Sequence, residues 1–403
     1  MADAALEGVK VLDLTHHIAG PFCTQRLAGF GADVIKIERP DGGDPTRRMG
    51  PFKGDDPSPE KSGMFFYLNM NKRGITLNLK SQGGRDIFKD LVRGADVVVE
   101  SFRPHVMHDL GLSYQDLKKV NPKLVMTSVT SFGQTGPYAE YKATEMVIYG
   151  MGGAMINSGD PQREPVSYGT PTAVYYGGSV AAVGTMGALI AAQTQGIGQH
   201  VDVSLVEILL GSVDRRIGAL LGYQYSGEYA GRESERGSYA TDYFPCKDGM
   251  ICMAAGGRFM FPRMVKMIGD PELLTDPRYL TPEGQRDPEL RDIFEAVFIS
   301  WSMDHTKKEI AEMAAEVGLI CAAVNTMEDV ATDPHFNFRR TFMEVEHPVM
   351  GNVRTITRPF VMQETPWQMS RPAPLLGQHN AEVYKELGYT ADEIIRLREA
   401  AVI

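Results

Sequence analysis

Cysteine is scarce in this sequence. Cys23, Cys246, Cys252 and Cys321 are scattered over 403 positions with no C-x-x-C pair. Neither a metal cluster nor a disulfide framework is encoded, and free buried thiols in a reducing compartment are expected. An excess of positive charge is also lacking: 41 Lys and Arg against 51 Asp and Glu leave a net charge of -10. That argues against a nucleic-acid-binding surface while leaving room for local cations around a small anion. The start, MADAALEGVKVLDLT, has no basic segment followed by an apolar run, so no secretory signal is read and a cytoplasmic location is expected. No apolar run reaches membrane-spanning length. The longest weakly polar stretch, Gly177 to Ala192, is built of small residues and reads as a buried helix of a core with no membrane partner. The turn after the first strand-like segment is His16-His17-Ile18-Ala19-Gly20-Pro21 rather than G-x-G-x-x-G, which disfavours a nicotinamide enzyme.

What is present is an alternation of periods. Val9 to Leu14 reads as a strand, Gly20 to Phe30 as a helix and Ala32 to Glu38 as a second strand, the opening of a parallel sheet. Strand patterns recur at Gly74–Leu79, Ala95–Glu100, Leu124–Val129 and His200–Leu205, with an amphipathic helix over Ser81–Arg93. This alternation specifies an α/β fold with helices over the sheet. A Gly-, Ser-, Tyr- and Glu-rich stretch at 222–238 reads as a linker. We therefore expect a large α/β domain over residues 1–221, a smaller α+β domain over 239–338, and a linker plus C-terminal return to the large domain over 339–403.

The blocks GVKVLDLTHHIAGPF, GADVIKIERPDGGDPTR, NMNKRGITLNLK, VVVESFRPHVMHDLGLSYQDLKKVNPKLV, SFGQTGPYA, GIGQHVDVSLVE and APLLGQHN together resemble the class III CoA-transferases, the family of formyl-CoA transferase and of the carnitine and bile-acid CoA-transferases. They occur in family order from about residue 7 to the C-terminus. The resemblance implies a Rossmann-like parallel-sheet domain built from both chain ends, a small middle domain, and two subunits interlocked like chain links. It also implies acyl-CoA and a small carboxylic acid as substrates, with no metal. A CoA site needs cations for phosphates and an apolar surface for adenine. The positions matching family contacts are His16, Arg39, Lys72, Arg73, Phe102 and Lys142. One departure is Asp109, where the family usually has Arg before LGL; a carboxylate facing a phosphate would weaken CoA binding.

The family's chemistry requires an aspartate that is acylated and then carries CoA as a thioester. Aligning Gly169-Thr170-Pro171-Thr172-Ala173-Val174-Tyr175-Tyr176-Gly177-Gly178 with the family's stretch puts Val174 at that aspartate, and no Asp or Glu lies between Glu164 and Asp202. Catalytic residues of the family type are thus absent. Glu145 matches a second acidic position and is left as a binding group, a general base or a helix cap. Two readings follow. In the first, the chain is a structural subunit of a heteromer beside a homologous catalytic subunit, as in two-subunit enzymes such as succinyl-CoA:(R)-benzylsuccinate CoA-transferase. In the second, it is a stand-alone acyl-CoA enzyme with non-covalent chemistry on Glu145. Tyr149, Met151, Tyr175 and Tyr176 hint at an apolar or aromatic acid.

Overall fold

The computed structural model describes residues 4–153, 155–210, 216–228 and 239–403. The chain divides into two compact units, one of Met1–Gly159, Pro165–Ala230 and Arg340–Ile403, the other of Asp160–Glu164 and Gly231–Arg339. In the first, six parallel strands form one sheet: β1 (Lys10–Asp13), β2 (Asp33–Glu38), β3 (Arg73–Thr76), β4 (Val97–Glu100), β5 (Val125–Thr130) and β6 (His200–Ser204), in the order β3-β2-β1-β4-β5-β6. The apolar runs of β1, β4 and β5 are buried on both faces, as a parallel sheet covered by helices requires. The expected α/β fold is therefore present, and its strand order reverses between β1 and β4. Ligands bind at such a switch point, beyond the carboxyl ends of the strands.

One face of the sheet is covered by α1 (Ala19–Gly29) and α7 (Thr172–Gln195), the other by α3 (Gln82–Arg93) and α5 (Tyr114–Val120). Between these helices in the chain lie α2 (Gly63–Asn69), α4 (Val106–Asp109) and α6 (Glu145–Met151). Helix α7 is the small-residue stretch read from the sequence. By length and composition it passes as a membrane span, yet its Ala181, Thr185, Ala188 and Ala192 are buried against the sheet. A Cβ at Gly178 would sit 2.4 Å from the Ala19 carbonyl oxygen. The small residues thus let α7 approach α1 far more closely than a branched side chain would allow.

The helices α8 (Leu205–Leu210) and α9 (Arg216–Ser226) follow β6. Residues 222–226 of the expected linker are the last turn of α9, and 229–238 lie outside the described residues. The second unit holds the antiparallel strands β7 (Thr241–Cys246), β8 (Gly249–Ala254) and β9 (Ile320–Ala323) with α10 (Phe261–Ile268), α11 (Pro288–Ser302) and α12 (Lys307–Val317), around an aromatic core of Tyr239, Phe244, Phe261, Phe294 and Phe298. Short helices α13 (Met327–Thr332) and α14 (Pro334–Phe338) end it. The hairpin β10 (Phe342–His347) and β11 (Gly351–Ile356) begins the return to the first unit, which closes with α15 (Asn380–Glu386) and α16 (Ala391–Glu399). There the Tyr384 hydroxyl donates to the Thr76 carbonyl at 2.5 Å and the Asn380 amide bonds to the Thr76 hydroxyl at 2.8 Å.

Candidate active site

The site is built around the turn that leaves β1. Asp13, fully buried at the end of that strand, accepts from the Thr15 amide and hydroxyl, from the Thr24 hydroxyl at 2.6 Å and from Lys72 Nζ at 2.8 Å. Burial alone would raise its carboxyl, but Lys36 and Lys72 outweigh that and hold it far below the carboxylate range. Lys36 Nζ donates to the Thr15 carbonyl and, at 2.9 Å, to Asp44, which in turn accepts from the His17 amide at 3.3 Å. A buried charge without partners costs several kcal/mol; here each is matched, and the result is a rigid β1–α1 turn.

That turn presents His16. Its amide donates to Ser101 Oγ at 2.9 Å and its ring meets Phe102 edge-on at 5.7 Å, which joins the ends of β1 and β4 at the switch point. Burial, helped by the Lys36 charge and opposed by Asp44 and Asp13, lowers the imidazole to about 4. His16 is therefore neutral at physiological pH and offers a hydrogen bond and a ring edge, not a charge.

His16, Arg39 and Phe102 line one groove of about 550 Å³, with Leu14, Ile37, Leu77, Val106 and Leu110 as apolar walls and Lys80 on the rim. Arg39 spends one donor on the Gly43 carbonyl at 3.2 Å. Such a groove suits a flat apolar ring with an anion near Arg39 and Lys80. Lys80 was not singled out from the sequence, although it closes the NMNKRGITLNLK block. A single lysine on a strand end looks like any surface charge until the groove is seen.

The other expected contacts lie elsewhere. Lys72 is fully buried and its three donors go to Asp13, Asn69 Oδ1 at 2.9 Å and the Pro21 carbonyl at 2.9 Å; it supports the turn and does not reach the groove. Arg73 opens β3 at the amino ends of the strands, away from the groove at their carboxyl ends, and is clamped by Asp33 at 2.6 Å, Glu382 at 2.9 Å and Glu386 at 2.7 Å. It lines a larger cavity of about 820 Å³ there, but its charge is already spent on carboxylates. Lys142 is exposed in the loop between β5 and α6 and does not line the groove. Asp109 is exposed beside His108 and is also absent from the groove wall, to which α4 contributes Val106 and Leu110.

At the head of α7 there is no acid in the first turn. Val174, its third residue, packs against the buried cluster of Ile18, Phe22 and Leu68, as do Met64, Tyr67 and Tyr175. The carboxylate that does reach this helix end is Glu145, whose Oε1 accepts from the Ala173 amide at 2.8 Å. Burial raises the Glu145 carboxyl, with the Ala173 amide pulling the other way. Of the roles left open for Glu145, the structure shows the cap, which satisfies one free N–H of the helix start. Of the tyrosine-rich set, Tyr175 lies beside Val174, while Tyr149 is core and Met151 is exposed.

A six-stranded parallel sheet with helices on both faces and a groove at its switch point defines a doubly wound α/β protein. Residues 6–380 match CoA-transferase family III, and the chain belongs to that family. It is 33% identical to succinyl-CoA--D-citramalate CoA-transferase of Chloroflexus aurantiacus over 99% of this chain and 98% of that one. It is 32% identical to the succinyl-CoA--L-malate CoA-transferase beta subunit of the same organism over 99% and 98%. A CAIB/BAIF family protein from Brucella suis superposes with a TM-score of 0.84 at 30% identity, over 96% of this chain and 100% of that one.

Proposed function

We propose that this chain is the non-acylating subunit of a class III CoA-transferase that moves CoA from an acyl-CoA donor such as succinyl-CoA to a carboxylic acid acceptor, beside a homologous sister subunit carrying the nucleophile. The observation that carries this reading is Val174 in the first turn of α7, with no acid in that turn and Glu145 engaged as its cap. A hydrocarbon cannot form the acyl-enzyme. The groove of His16, Arg39 and Phe102 supports retention of nucleotide binding. That a relative is named as a beta subunit shows that two-subunit organisation occurs among similar chains. The relatives' names range over citramalate, malate and glutarate, so no benzylsuccinate specificity is assigned to this chain.

The test is CoA transfer from succinyl-CoA to a panel of acids by the chain alone and with a sister subunit from a neighbouring reading frame. No turnover alone and turnover with the sister is expected; turnover alone overturns the proposal. The raised carboxyl of Glu145 favours a second reading, a stand-alone enzyme with Glu145 as base. That reading requires activity of the chain alone that Glu145→Gln abolishes.

A further inference from the structure

Among the described residues of the first unit, four carboxylates are buried: Asp13, Glu38, Asp44 and Glu100. Three of them meet a buried cation, Asp13 with Lys72 at 2.8 Å, Glu38 with Arg47 at 2.8 Å and Asp44 with Lys36 at 2.9 Å. Glu100, at the end of β4, is packed as closely, and among the described residues it pairs with no cation. A buried carboxyl without a cation costs free energy to ionise and holds its proton instead. The charge that does act on it is Asp202 of β6, which is negative and favours the same neutral state.

Two connections give this proton a consequence. Glu100 Oε2 accepts from the Phe102 amide at 2.7 Å, and Phe102 is a wall of the groove with its ring against His16. The second connection runs to the surface. Ser128 stands opposite Glu100 in the β4–β5 ladder and hydrogen-bonds its carboxyl, and Ser128 Oγ lies 2.8 Å from Nε2 of His200, which is exposed. With Glu100 neutral, its O–H donates to Ser128 Oγ and the Ser128 O–H donates to Nε2 of His200. With Glu100 ionised both bonds reverse, Nε2–H donating to Ser128 and Ser128 to the carboxylate, and the lost proton leaves from Nδ1 of the imidazole. The other groups around this row do not offset the charge. Tyr114 of α5 stacks on His200 at 5.7 Å, with Lys118 Nζ 5.7 Å from the tyrosine ring centroid. On the other side β1 leads to Leu14 and the neutral His16, and Arg103, His105, His108 and Asp109 after β4 are exposed.

We infer that Glu100 is a positioning residue for the groove: its protonated carboxyl holds Phe102 in the groove wall, and Ser128 and His200 pass the proton to and from solvent. This rests on the reading of the groove as a nucleotide site. A bound nucleotide adds negative charge at the carboxyl ends of the strands and so favours neutral Glu100. An ionised Glu100 needs water, which reaches it by opening the turn that bears Phe102. Nucleotide binding therefore takes up a proton wherever the free chain has lost it.

The experiment is calorimetric titration of the full-length chain with dephospho-CoA, whose pyrophosphate keeps a fixed charge between about pH 5.5 and about pH 8.5, in buffers of different ionisation enthalpy. Wild-type affinity is expected to fall by up to about tenfold per pH unit above neutrality, with uptake of about one proton on binding. Glu100→Gln keeps the hydrogen bonds of the neutral state, so its affinity should stay at the wild-type acid-side level throughout, with no proton uptake. Ser128→Ala removes the bond that favours the carboxylate and should move the midpoint to higher pH. A residue that only supported the fold would leave proton uptake on binding at zero. A flat wild-type profile, or a fall with pH that Glu100→Gln retains, overturns the inference and leaves the groove reading standing; no binding at any pH overturns both. If Glu100→Gln fails to fold, Ser128→Ala decides, and an unmoved midpoint there overturns the inference.

Discussion

Position 174 shows how much one side chain decides. Its backbone site at the head of α7 is intact and capped, so Val174→Asp should place a carboxylate beside the cluster of Ile18, Phe22 and Leu68 without refolding the helix. With succinyl-CoA, the non-acylating reading expects this variant to yield a hydroxylamine-trappable acyl-enzyme. Its absence, with the fold intact by circular dichroism, would mean that the groove no longer delivers the thioester. Lys72 is fully buried, its three donors spent on Asp13, Asn69 and the Pro21 carbonyl. Lys72→Met removes one of the two cations that hold Asp13 ionised at full burial. Breaking a buried pair costs about 3–5 kcal/mol, to be read from the urea midpoint, whereas Lys142→Met at an exposed site should stay within about 0.5 kcal/mol.

At the scale of elements, Glu100 at the end of β4 and Asp44 in the loop after β2 titrate in opposite directions. Glu100, at the end of β4, is pushed up to about 7 by burial, with Ser128 and the Phe102 amide opposing. The unfolded chain releases this proton near 4.5 and the folded chain keeps it until about 7. Stability from this group is therefore full below 4.5 and lost as pH rises through 7. Glu100→Gln should remove that slope and gain on the order of 3 kcal/mol over wild type at pH 8, measured as melting curves from pH 4.5 to 8. Asp44 runs the other way. Burial would raise it, but Lys36 and the Thr46 amide hold it at about 2, so its contribution is present above its ordinary 3.8 and lost as pH falls through 2. His200, bonded to Ser128 Oγ at 2.8 Å, is lowered by burial and adds no charge to this end of the sheet at neutral pH.

For the whole molecule, the first unit depends on both chain ends. The return places Val383, Tyr384, Ile394, Val402 and Ile403 in the same core as Leu12, Ile35 and Ile75. Truncation after residue 357 should therefore leave an expanded, dye-binding state without a cooperative melt, while Tyr384→Phe, losing one buried bond to Thr76, should cost about 1 kcal/mol. By itself the sequence determined the alternation that makes a parallel sheet and the small-residue helix, because period and residue type are local properties. That His16, Arg39 and Phe102 would lie near one another was legible because each comes soon after a strand of the parallel sheet. Only the tertiary structure decided that Lys72 and Arg73 are spent on carboxylates and that Asp109 stays out of the groove. A cation's role depends on which distant carboxylate the fold brings to it, and Asp13 meets Lys72, and Arg73 meets Glu386, only across strands and chain ends that no local pattern connects.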